Sequence, residues 1–290
     1  MSAQILDGKK ISAEVREELK PRIAYLSERG CQPGVAVVLV GDDPASQIYV
    51  RNKEKACEKL GIYSIQHRLP ADTSQEEVIE LVNSLNENER IHGILVQLPL
   101  PSHIREKEVL YHISPDKDVD GFHPYNLGRL MIGDPIFLPC TPWGVQELLL
   151  RYNLSPEGKN VVIVGRSNIV GKPLSMMLVQ KGKGANATVS VCHTGTRNLS
   201  SYTKMADILI AACGSPHLIT QDMVREEAVV VDVGINRVGD KTVGDVDFER
   251  VKEVASYISP VPGGVGPMTI AMLMANTVKA AERALQRKTA

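Results

Sequence analysis

Apolar residues recur along this chain in two rhythms. Ile11, Val15, Leu19, Ile23 and Leu26 fall three and four apart, the spacing of one helix face, and Gly30 closes the run. Val35-Ala-Val-Val-Leu-Val40 is instead continuous, the mark of a strand buried on both sides. After the Asp42-Asp-Pro-Ala turn, Ser46 is predicted to cap a helix that runs to about Leu60 and stops at Gly61. A strand over Ile62–Leu69 follows. Next come a helix capped by Thr73 or Ser74 that reaches about Glu87, and a strand over His92–Gln97. This β-α-β-α-β order calls for right-handed parallel crossovers.

From Leu98 to Pro142 the rhythm breaks. Prolines recur at 99, 101, 115, 124, 135, 139 and 142, so the stretch reads as linker or functional loop. A helix from Pro142 to about Tyr152 leads into a second alternating series. Strands are predicted at Val161–Val164, Thr188–Cys192, Asp207–Ala212 and Ala228–Val233, with helices at Pro173–Gln180 and Gly266 to about Arg287. The fold class is therefore α/β: two lobes around a cleft, the second a Rossmann-like doubly wound parallel sheet. The cleft is the expected ligand site.

Composition narrows the function. In 290 residues, 33 Lys+Arg balance 34 Asp+Glu for a net charge of -1, which excludes a generally basic nucleic-acid-binding surface. Hydrophobic content of 43% against 23% charged disfavours disorder. No apolar stretch has the length of a membrane span, and the first residues lack a signal-peptide core, so no membrane partner and a cytoplasmic location are expected. Cys31, Cys57, Cys140, Cys192 and Cys213 include no C-x-x-C pair, and no His-rich metal spacing occurs. Neither a disulfide framework nor a metal is expected.

Two glycine loops stand where ligands bind. Gly165-Arg-Ser-Asn-Ile-Val-Gly171 joins a strand to a helix, matching neither G-x-G-x-x-G nor the P-loop. A phosphate would still meet free N–H groups at the helix start; an ordinary tight turn is the alternative. From Gly165 to Ala206 there is no acidic residue, while Arg166, Lys172, Lys181, Lys183, Arg197 and Lys204 are basic. The second strand ends in Cys192-His-Thr194-Gly-Thr-Arg197, with no carboxylate to repel a 2′-phosphate, which favours NADP over NAD; a basic solvated face is the other reading. The second loop, Pro260-Val-Pro-Gly-Gly-Val-Gly-Pro-Met-Thr269, is stiff and suited to close approach; a tight turn with no ligand is the alternative.

In the first lobe Tyr49 and Lys53 share a helix face, Gln97 ends an apolar strand, and Asp118 and Asp120 lie in Lys117-Asp-Val-Asp-Gly121. Arg51, Lys55 and Lys59 lie in the same helix, so a solvated basic face would also explain the lysine. A lysine shielded beside a carboxamide would instead have a lowered pKa and handle a proton near neutrality.

Taken in order, Gly41-Asp-Asp-Pro-Ala-Ser46, Tyr49-x-x-x-Lys53, Gln97-Leu-Pro-Leu-Pro101, Lys117-Asp-Val-Asp-Gly121, Pro139-Cys-Thr-Pro142, Val164-Gly-Arg-Ser167 and Pro260–Thr269 resemble the bifunctional methylenetetrahydrofolate dehydrogenase/methenyltetrahydrofolate cyclohydrolase family. The resemblance runs from Ile5 to about Val278. It implies oxidation of 5,10-methylenetetrahydrofolate by NADP, then hydrolysis of the methenyl cation to 10-formyltetrahydrofolate, in one-carbon metabolism and purine biosynthesis. It makes Lys53 the central catalytic group, tuned by Gln97, with Asp120 on the pterin and Tyr49 on the p-aminobenzoyl ring. Leu98, Pro262, Gly263 and Gly264 would complete the folate site. Gly165, Arg166 and Ser167 would take the cofactor phosphates, with Thr194 near the 2′-phosphate and Ile235 at the nicotinamide.

The resemblance also implies a catalytic domain over 1–140, completed by a C-terminal helix of about 271–290, an NADP-binding domain over 141–270, and a homodimer paired through the second lobe. Another two-lobed NADP-dependent oxidoreductase would leave Tyr49-x-x-x-Lys53 and Asp-Val-Asp-Gly unexplained. A non-catalytic nucleotide- or folate-binding protein is the remaining class.

Overall fold

A computed structural model describes residues 2–289, the Ala45 side chain excepted. The chain divides into two compact units. One comprises Met1–Ala13, Leu130–Gly133 and Thr141–Thr269; the other comprises Glu14–Arg129, Asp134–Cys140 and Ile270–Ala290.

In chain order the strands are β1 (Gln4–Ile5), β2 (Gly34–Val40), β3 (Tyr63–Leu69), β4 (Gly93–Val96), β5 (Asn160–Val164), β6 (Thr188–Cys192), β7 (Ile208–Ala211), β8 (Val229–Asp232), β9 (Asn236–Val238), β10 (Lys241–Val243) and β11 (Tyr257–Ile258). The helices are α1 (Gly8–Glu28), α2 (Pro44–Leu60), α3 (Gln75–Glu87), α4 (Glu106–His112), α5 (Pro124–Met131), α6 (Cys140–Arg151), α7 (Gly171–Leu178), α8 (Leu199–Thr203), α9 (Phe248–Val251) and α10 (Val265–Thr289).

The unit carrying Glu14–Arg129 is built on a three-stranded parallel sheet, β3-β2-β4. Its middle strand is buried along its whole length, which is why its sequence does not alternate. The helix stripe read from the sequence is the buried face of α1: Ile11, Val15, Leu19, Ile23 and Leu26 are each at most 6% exposed.

Helix α2 starts earlier than expected, and Ser46 is not its cap. Asp43 takes that place, its carboxylate accepting from the Ser46 N–H at 2.7 Å, while Pro44 opens the helix. A fixed φ and a missing N–H suit proline to the first turn, so the cap moves ahead of it. Gly61, at φ 72°, ends α2 as read. Ser74, not Thr73, caps α3 in a reciprocal box with Glu77.

The stretch from Leu98 to Pro142 is not all loop. It contains α4 and α5, seven and eight residues long, too short to establish a helical period between prolines. Asp118 also bridges in parallel to Ile94, beside β4.

The other unit holds a six-stranded parallel sheet in the order β6-β5-β7-β8-β11-β1. β5 lies between β6 and β7, so strand order reverses there, as in doubly wound sheets. β1 and β11 are two residues each, below what a sequence rhythm can register, and β9 and β10 form a small antiparallel hairpin.

Candidate active site

In the three-stranded sheet, β2 lies between its neighbours, and the crevice of such a sheet opens at the strands' carboxyl ends. Gln97 emerges there from β4, its N–H donating to the Val38 carbonyl at 2.8 Å. Its side-chain Nε2 donates to the Leu98 carbonyl at 2.7 Å, which turns Oε1 toward α2. Lys53 meets it from that helix, Nζ donating to Gln97 Oε1 at 2.9 Å.

Lys53 is only 8% exposed. Burial drives its pKa below that of an ordinary lysine, while the charge of Asp120 pulls the other way. Burial pushes the Asp120 carboxyl up, and Lys53 opposes that shift. Tyr49, one turn before Lys53, is partly buried, and burial raises its hydroxyl pKa.

The two aspartates separate in role. Asp118 is buried and spends its oxygens on its own turn: Oδ1 accepts from the Phe122 N–H at 3.1 Å. Oδ2 accepts from the His123 N–H at 2.9 Å and Asn126 Nδ2 at 2.8 Å. Asp120 is left facing Lys53 and Cys140. Gly121 makes that turn possible. Its φ is +76°, and a Cβ there would stand 2.8 Å from the Pro139 nitrogen. From α10, Asn276 Nδ2 donates to the Val119 and Leu138 carbonyls, 2.8 Å each, tying the two segments that carry Asp120 and Cys140.

In the six-stranded sheet the glycine loop leaves β5 at the order reversal. A Cβ on Gly165 (φ +134°) would lie 2.0 Å from the Ala212 carbonyl oxygen, and one on Gly171 2.1 Å from the Gly165 oxygen. Only glycine fits either position. Between them Arg166, Ser167 and Asn168 are exposed. Ser167 Oγ accepts from the Val170 N–H at 3.1 Å, and no side chain caps α7. Thr194 and Arg197, after β6, are exposed, in a turn where His193 Nδ1 accepts from the Gly195 N–H at 3.0 Å.

In the second glycine loop Pro262 is exposed, Gly263 takes φ +117°, and the Gly264 N–H donates to the Pro260 carbonyl at 2.8 Å. A Cβ on Gly8 would lie 1.7 Å from the Gly264 oxygen, so the loop seats directly against the start of α1.

Comparison with known proteins decides the family. Residues 6–120 match the model of the tetrahydrofolate dehydrogenase/cyclohydrolase catalytic domain, and residues 139–285 that of its NAD(P)-binding domain. The chain belongs to the tetrahydrofolate dehydrogenase/cyclohydrolase family. The bifunctional protein FolD of Moorella thermoacetica is 61% identical over 98% of this chain and 100% of that protein. Among solved structures, the bifunctional FolD dehydrogenase/cyclohydrolase of Campylobacter jejuni superposes with a TM-score of 0.93 at 53% identity, covering 97% of this chain and 99% of that one. The Trypanosoma brucei dehydrogenase-cyclohydrolase, complexed with NADP cofactor and an inhibitor, gives 0.94 at 37%, covering 99% of each.

For a member of this family the residues present fit the cofactor. Gly165 and Gly171 leave room for close approach, and the exposed Arg166, Ser167, Thr194 and Arg197 are donors without a carboxylate among them. Within each unit, the structure gathers Lys53, Gln97, Leu98 and Asp120, with Tyr49 on the same face of α2, and separately Gly165, Arg166 and Ser167. Ile235 is 50% exposed just beyond β8. Among the described residues no cluster of three or more His, Cys, Asp or Glu side chains forms a metal site, and no helix is long and apolar enough to cross a membrane.

Sequence reasoning missed Asp232 and Asp245, buried carboxylates beside Ile235. One signal was present: Asp232 is the lone acid in the apolar run Ala228–Val233. It also left unassigned the roles of Cys140 and Asn276, which support Asp120.

Proposed function

We propose that the protein oxidises 5,10-methylenetetrahydrofolate with NADP and hydrolyses the methenyl product to 10-formyltetrahydrofolate, with Lys53 as the proton-handling group. The observation that carries this reading is the buried Lys53–Gln97 contact at 2.9 Å beside the Asp120 carboxyl, in a chain of this family.

Bound NADP supplies the hydride acceptor. Arg166, Ser167 and Thr194 would hold its phosphates, Gly165 would leave its backbone open to them, and Ile235 would border the nicotinamide. Asp120 accepts the adjacent N–H groups of the pterin, Tyr49 stacks on the p-aminobenzoyl ring, and Leu98, Pro262, Gly263 and Gly264 line the folate.

A neutral Lys53 uses its N–H to hold Gln97 and keeps a lone pair free. That spares the methenyl cation a like charge and gives the attacking water a base. Water adds to the cation carbon as Lys53 takes its proton, the carbon–nitrogen bond to N5 breaks, and the proton returns to N5. The net proton of hydrolysis leaves to solvent.

The test is spectroscopic. Adding NADP⁺ and 5,10-methylenetetrahydrofolate should produce methenyl absorbance and reduced cofactor together, with the methenyl signal then decaying faster than its spontaneous rate. Reduction without accelerated decay would leave only the dehydrogenase. We further propose a cytoplasmic homodimer whose product feeds one-carbon transfers such as purine synthesis. Light scattering at twice the chain mass tests the dimer, and cell fractionation the location.

A further inference from the structure

Asp232 and Asp245 have no part in the chemistry above, yet they organise the carboxyl end of the six-stranded sheet. Asp245 accepts four hydrogen bonds. Its Oδ2 takes the Cys213 and Gly214 N–H groups at 2.7 and 2.9 Å, and its Oδ1 takes Ser215 N–H and Asn236 Nδ2, both at 2.8 Å. Asp232 accepts three: Gly234 and Asp245 N–H on Oδ1 and Val246 N–H on Oδ2, each at 3.0 Å. One carboxylate thus holds the loop that carries the other.

The fit leaves no slack. A Cβ on Gly234 would lie 2.2 Å from Asp245 Cγ, and one on Gly244 1.8 Å from Asp232 Oδ2. Two segments are aimed by this arrangement. Residues 213–215 follow β7 and lie against the phosphate loop, where a Gly165 Cβ would be 3.3 Å from the Cys213 nitrogen. Ile235, half-exposed, stands between Gly234 and Asn236, which are tied to Asp232 and Asp245 respectively.

We propose that Asp245, braced by Asp232, is a positioning residue that sets residues 213–215 against the glycine loop and Ile235 at the place the proposed function gives to the nicotinamide. This rests on the NADP-dependent dehydrogenase reading above. Every partner of Asp245 is a donor, two on each oxygen, so its carboxylate form fits them all: a carboxamide would turn its NH₂ toward one pair of donors. Hydride transfer depends on near-attack geometry, so a small displacement of these segments costs rate as well as binding.

The experiment compares Asp245→Asn and Asn236→Ala with the unsubstituted enzyme in both activities. Asp245→Asn should raise the KM for NADP⁺ and lower the dehydrogenase kcat, each by about tenfold or more, as loss of charge-assisted hydrogen bonds implies. The preference for NADP⁺ over NAD⁺ should stay, because Arg166, Ser167 and Thr194 are untouched. Cyclohydrolase activity should stay within about twofold, because Lys53, Gln97 and Asp120 belong to the other unit.

Should Asp245→Asn fail to fold, Asn236→Ala decides. It removes one donor of four and should raise the NADP⁺ KM about three- to tenfold while cyclohydrolase activity persists. Unchanged NADP⁺ kinetics in Asn236→Ala would overturn the proposal. So would an equal fall of both activities, which would mark a purely structural role. An unsubstituted chain that reduces no NADP⁺ would instead overturn the function on which the proposal rests.

Discussion

Lys53 is a basic side chain placed where a charge is costly, and the proposed mechanism uses that cost. Lys53→Ala should abolish cyclohydrolase activity, and Lys53→Arg should do the same, because a guanidinium stays charged and takes no proton near neutral pH. Dehydrogenase activity surviving in Lys53→Arg would separate positioning from proton transfer; hydrolysis at the unsubstituted rate in either variant would remove Lys53 from its role. Asp120→Ala should weaken folate binding by about 1–3 kcal/mol and impair both activities, leaving NADP⁺ affinity intact. Asp118→Asn should act through thermal stability, since Asp118 accepts from the backbone of its own turn. Arg166→Ala should raise the KM for NADP⁺ far more than that for NAD⁺. Equal losses with the two cofactors would take Arg166 off the 2′-phosphate.

The same residue types do structural work elsewhere, and there the element sets the role. Lys117 stands one residue from Asp118, but its Nζ turns to the end of α3, donating to the carbonyls of Leu85, Asn86 and Asn88 at 3.1, 2.6 and 2.9 Å. A cation on the last carbonyls of a helix satisfies acceptors the helix cannot and complements its dipole. Its next residue bridges to Ile94. Lys117→Met should therefore lower stability by about 1–3 kcal/mol in denaturant melts and reduce folate affinity, with NADP⁺ affinity unchanged. A loss of stability with no effect on folate would confine Lys117 to the helix end.

At the scale of the molecule, buried acids tie stability to pH. Burial, with Asp245 alongside, raises the Asp232 carboxyl from 3.8 to about 7 against three opposing N–H groups. The folded state therefore holds this proton over a range where the unfolded state has released it. The stabilisation is complete below about pH 4 and is lost as pH rises through about 7. Denaturant melts from pH 4 to 8 should show the chain losing stability relative to Asp232→Asn across that window. A difference that stays flat with pH would mean that Asp232 is ionised throughout.

The sequence by itself determined the elements with a sustained rhythm and the residues tied to them. The stripe Ile11–Leu26, the continuous run Val35–Val40 and the glycine that ends α2 follow from local geometry and burial, and each is in the structure. The alternation of strands and helices specified parallel α/β sheets for the same reason. The approach of Lys53 to Gln97, 44 positions apart, depends on α2 packing on β2, the strand that β4 pairs with, which no local signal encodes. Asp118 and Asp120 are indistinguishable in sequence until the Gly121 turn gives one to the backbone and the other to Lys53. Asp232 and Asp245 gain their meaning only when three loops meet at the end of a sheet whose last two strands on one side, β11 and β1, are two residues long. Local sequence sets periodicity and caps. Which polar atoms share a buried volume is set by tertiary packing, because desolvation and hydrogen-bond partners are properties of the assembled core.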